Sequence, residues 1–98
     1  MNEKDMKQVT IQIQIDEPTA QGIYSNMAVV QHSPSEFLMD FIFINPGQPV
    51  AKVRSRIIMT PEHAKRLQKV LAENISHYEK QFGEIKVFDM PKPQTSVQ

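Results

Sequence analysis

EFLMDFIFINPGQP, residues 36–49, decides how this chain is read. Side chains alternate across a strand, so Phe37, Met39, Phe41 and Phe43 point one way and Leu38, Ile42 and Ile44 the other, with Asp40 among the second set. An antiparallel strand with one solvated face carries polar residues on that face. Here both faces are apolar and each needs a cover, whereas a chain of 98 residues builds a single core. The chain itself is expected to supply one cover and another polypeptide the second. The seven apolar residues of this stretch are therefore the candidate protein interface.

Working outward, HSPSE (32–36) and NPGQP (45–49) bracket the stretch with turn residues, since Pro presets φ and Gly accepts a positive one. Before it, IYSNMAVVQH (23–32) reads as a strand with Tyr24, Ala28 and Val30 on one parity and Ile23, Met27 and Val29 on the other. VTIQIQI (9–15) alternates strictly and predicts a half-buried strand, joined by the loop DEPTAQG (16–22). After the stretch, VAKVRSRIIM (50–59) predicts another strand, with Lys52, Arg54 and Arg56 on one face and Val53, Ser55, Ile57 and Met59 on the other. Short connections make these an antiparallel meander of about four strands.

TPEHAKRLQKVLAENISHYEKQFGEI then predicts one long helix. Thr60 is a natural N-cap, Pro61 fits the first turn, Glu62 complements the positive end of the dipole, and Gly83 is a C-terminal stop. Ala64, Leu67, Leu71, Ile75, Tyr78 and Phe82 recur at spacings of three and four and form an apolar stripe expected to dock on the sheet. The fold class is α+β: a meander with a C-terminal amphipathic helix packed on one face. Residues 1–8 are expected to be a flexible N-terminus, 9–88 a single domain in which EIKVF (84–88) adds a short strand, and 89–98 a disordered tail.

Composition narrows function by exclusion. Cysteine is absent, so disulfides and thiolate metal sites are ruled out, and eleven basic residues balance eleven acidic ones, which removes a broad field for nucleic acid or anionic membrane. The charged start MNEKDMKQ is not a signal peptide and no run is long enough to span a bilayer, so a soluble cytoplasmic protein is expected. His63 and His77 sit roughly 21 Å apart along one helix and His32 lies in a turn, so no metal site is expected. The serines lack a nucleophile-elbow context, the three glycines are too scattered for a phosphate loop, and Asp16 and Glu17 read as a loop entry. No catalytic residue and no cofactor is assigned.

The row Lys52, Arg54 and Arg56 is a candidate anion or nucleic-acid contact, although no known nucleic-acid motif accompanies it. Its structural alternative is an arginine paired with Asp40 across the neighbouring strand; a turn centred on residues 47 and 48 places Arg54 roughly opposite. A further alternative is a holdase-like chaperone whose groove uses Met39 and the phenylalanines. The favoured reading is a protein-interaction module, either a homodimer or a face for a heterologous partner.

IYSNMAVVQHSPSEFLMDF, the RIIMTPEHAKRL join and the NISHYEKQFGEI end together resemble the small bacterial and archaeal family catalogued as domain of unknown function 3467. The likeness runs from about Gln12 to Ile85 and rests on Tyr24-Ser25-Asn26, on Ser33-Pro34 with Phe37, and on the Pro61 helix start with Tyr78-Glu79 and Phe82-Gly83. It implies no chemistry. A weaker association, that similar genes in one bacterial lineage lie beside those of the large RNA polymerase subunits, implies an accessory protein of the transcription machinery. The Tyr24-Ser25-Asn26 triplet itself reads as hydrogen bonding that ties a strand end.

Overall fold

The structure, a computed structural model, describes residues 9–89. The N-terminus expected to be flexible and all but the first residue of the expected tail lie outside the described residues.

The element order is a short helix α1 (Glu17–Ala20), three strands β1 (Met27–His32), β2 (Phe37–Phe43) and β3 (Lys52–Met59), and a long helix α2 (Pro61–Phe82). The strands form one antiparallel sheet in chain order, with β2 in the centre. The α+β class, the meander and the long C-terminal helix are as expected, with three strands in place of four.

Local chemistry sets the joints. In the first turn the Ser33 N–H donates to the Glu36 carbonyl, while the Ser33 hydroxyl accepts from the N–H groups of Ser35 and Glu36. In the second, Gln48 N–H donates to the Asn45 carbonyl at 3.1 Å, Pro46 supplies the fixed φ, and Gly47 takes φ +84°, which is the requirement of a type II turn. Helix α2 begins where Thr60 Oγ1 accepts from the His63 N–H at 3.2 Å and stops at Gly83, φ +101°, whose N–H donates to the Glu79 carbonyl. The chain beyond is tied back by Ile85 N–H donating to the Glu79 carboxylate at 2.9 Å. Residues 84–88 form no strand, since no ladder partner lies beside them among the described residues.

Two further expectations are corrected. Residues 9–15 alternate as a strand should but pair with nothing among the described residues, and a strand without a ladder leaves its backbone groups to solvent; Ile13 is 92% exposed. The second concerns the helix, which was expected to cover one face of its own sheet. It does not pack there: only the strands lie in close mutual contact, and of the α2 stripe only Ala64 and Leu67 reach half-burial. The reason is the joint. Met59 ends β3 and Pro61 begins α2, so the extended Thr60 alone connects them, short of the roughly two to six residues a strand uses to send a helix back across its sheet.

Candidate protein-interaction surface

The register assigns each side chain of the sheet to a face. Directly opposed residues in an antiparallel pair point the same way. Phe37, Met39, Phe41 and Phe43 thus share one face with Ala28, Val30 and His32 of β1 and with Lys52, Ser55, Ile57 and Met59 of β3; we term it the aromatic face. Leu38, Asp40 and Ile42 share the other with Met27, Val29 and Gln31 and with Val53, Arg56 and Ile58; we term it the ionic face. Ile44 lies just past the end of β2. The seven interface candidates are all half-buried, the four and the three separated as the alternation requires. Among the described residues no apolar side chain is fully buried.

The aromatic face is ordered by ring contacts. His32 stacks on its cross-strand neighbour Phe37 at 5.6 Å, and Tyr24 meets Phe43 edge-on at 5.8 Å. Above Phe41 and Ser55 the chain entering β1 rises as a wall of Pro18, Thr19, Gly22, Ile23 and Ser25, leaving an open cleft of about 650 Å³. Of that wall, Pro18, Thr19 and Gly22 were expected in a plain loop, and Ile23 and Ser25 in a strand that begins only at Met27. In the structure the wall contains α1, capped by Asp16 Oδ1 accepting from the Thr19 N–H at 2.8 Å. The signal was present in Asp-Glu-Pro-Thr, an acid two residues before a proline, but four residues make no periodicity to detect.

Asn26 ties the start of β1. Its Oδ1 accepts from the Ile44 N–H at 2.7 Å, its Nδ2 donates to the Ile44 carbonyl at 3.0 Å, and its own N–H donates to the Ile42 carbonyl. A side-chain amide so placed mimics one more rung of the ladder. Of the triplet Tyr24-Ser25-Asn26, Asn26 therefore supplies the hydrogen bonds that tie the strand end.

On the ionic face Asp40 is 2% exposed, the one buried charged residue among those described. Val29 flanks it on β1 and Arg56 on β3, and Arg56 supplies both hydrogen bonds its carboxylate receives. Those bonds hold the Asp40 carboxyl below the ordinary carboxylate value; burial opposes them, and the guanidinium charge adds to the lowering. The Arg56 pKa is raised by the same contact. The expected cross-strand pair thus exists, with Arg56 rather than Arg54 as the partner.

A β-bulge is responsible for that change. Phe41 pairs with Ser55 but Ile42 pairs with Val53, so Arg54 is an extra residue with no partner. Parity reverses across it. Lys52 comes to the aromatic face opposite Phe43, while Arg56 stays on the ionic face opposite Asp40. The expected basic row of Lys52, Arg54 and Arg56 is not assembled on one face.

A family model described as Protein of unknown function (DUF3467) matches residues 1–87. The chain belongs to that family. No curated protein and no solved structure matches it. The family's description assigns no chemistry, so the site must be judged on its own residues. Among the described residues no cluster of three or more His, Asp or Glu is placed to hold a metal, and no helix is long and apolar enough to cross a membrane. Also misplaced are Leu71, Ile75, Tyr78 and Phe82, expected to dock on the sheet and found exposed, Leu71 by 55% and Phe82 by 67%. Their spacing is that of any docked helix, and it carries no information about whose surface they dock on.

Proposed function

We propose that the chain is a non-enzymatic, cytoplasmic protein-interaction module whose partner is the transcription machinery, docked as an accessory protein of RNA polymerase. The observation that carries the interaction reading is β2, a strand with apolar residues on both faces and, among the described residues, no covering layer on either. Apolar surface of this extent marks an association site, and burying a handful of such side chains at about 1.5–3 kcal/mol each outweighs the cost of association. Asp40 with Arg56 gives the ionic face one fixed charge pair, a source of specificity rather than affinity. The choice of RNA polymerase rests on the family association alone.

Purification from the native host through a C-terminal tag, with the eluate sized before its proteins are identified, tests the reading. RNA polymerase in fixed ratio to the chain, lost on Ile42→Asp on the ionic face, is the expected result. Recovery of the chain with only itself would remove the accessory-protein reading.

A further inference from the structure

We infer that the covering layer missing from each sheet is the α2 helix of a second copy, so that the protein is an intertwined two-fold dimer in which helices are exchanged between sheets. This deepens the interaction reading above and rests on it.

One copy carries two complementary surfaces that cannot meet. The aromatic face presents Phe37, Met39, Phe41, Ile57 and Met59 with no layer over them among the described residues. The α2 stripe presents Leu71, Ile75, Tyr78 and Phe82, the last two rings packed on each other at 5.0 Å. The single-residue joint at Thr60 keeps the helix off its own sheet. Two copies related by a two-fold axis satisfy both surfaces at once, because each then donates one helix and receives one. The cleft beside α1 shows where a partner helix would lie, with Phe41 and Ser55 as its floor and the Pro18–Ser25 segment as its side.

Charge does not oppose the encounter, since the formal net charge is zero. A chain with no fully buried apolar residue among those described also lacks the burial that offsets chain entropy, so folding and pairing are coupled.

The test uses the full chain. Light scattering after size exclusion at micromolar concentration should give a mass of twice 11.3 kDa, and the thermal midpoint should rise with protein concentration. In dimers mixed from ¹³C-labelled and unlabelled chains, isotope-filtered NOEs should link Ile57 and Met39 of one chain to Leu71 and Tyr78 of the other. A folded monomer with a concentration-independent midpoint overturns the inference, as does a dimer whose helix-to-sheet NOEs are all within one chain. The two readings fail separately. A monomer that still captures RNA polymerase sinks only the exchange, and an exchanged dimer that captures nothing sinks only the accessory role.

Discussion

Arg56 faces Asp40 across β2 and β3 and joins it through two hydrogen bonds, Nε donating to Oδ1 at 2.6 Å and Nη2 to Oδ2 at 2.9 Å. The two-pronged geometry fixes the register of β3 at the point where the bulge begins. A shift of β3 by one residue would separate the charges and strand a buried carboxylate, which is among the costlier errors a sheet can make.

Acid sensitivity follows from this pair. The carboxyl of Asp40 is held below its ordinary value in the folded state, as is that of Asp16 through its bonds with Thr19. Each therefore binds its proton more readily when unfolded, so its stabilisation is complete above the ordinary carboxylate pKa of about 4 and is lost as pH falls through the lower folded value. Thermal melts should be flat from pH 7 to about 5 and fall below about 4. Asp40→Asn should melt lower than the parent at pH 7, and the gap should narrow in acid, where the parent's own Asp40 is neutral.

Separation of the basic residues gives a second expectation. Lys52→Ala and Arg54→Ala should leave the melting temperature unchanged, whereas Arg56→Ala should lower it, because only Arg56 neutralises a buried acid. Thermal melts of the three single variants decide this. Equal effects would mean the three arginine and lysine side chains act as one row.

Asn26→Ala should cost about 1–2 kcal/mol in denaturant unfolding, since it removes two hydrogen bonds to the Ile44 backbone at a partly solvated strand end. Asn26→Asp should recover little of this. It keeps the acceptor for the Ile44 N–H but turns a carboxylate oxygen toward the Ile44 carbonyl.

Helix ends were legible in the sequence because capping is local chemistry: Thr60, Pro61 and Gly83 mark α2 at both boundaries, as Pro46 and Gly47 mark the second turn. Strand pairing is not local. Nothing in VAKVRSRIIM announces that Arg54 is skipped, so the alternation that holds from Ser55 to Met59 misplaces Lys52. Apolar periodicity likewise identified the α2 stripe and the two faces of β2 but not the molecule that covers them, because the same spacing serves a core and an interface. Only the length of the Thr60 joint bears on that, and its importance shows once the ends of β3 and α2 are placed.

Leu71→Ala separates a helix that merely sits in solvent from one that docks. Residue 71 is 55% exposed within one chain, and alanine is the better helix former, so in an isolated chain the change should leave the helix as stable or more so. Docked on a partner sheet, the lost carbons remove about 2 kcal/mol of apolar burial per copy. A two-fold dimer contains the site twice, giving about 4 kcal/mol and about a thousandfold weaker self-association, at about tenfold per 1.4 kcal/mol. Sedimentation equilibrium over a dilution series measures it. The expected outcome is an unchanged helical signal per residue at high concentration together with dissociation at concentrations where the parent stays paired. Unchanged self-association would mean that Leu71 remains in water and that the stripe of α2 is not what covers the sheet.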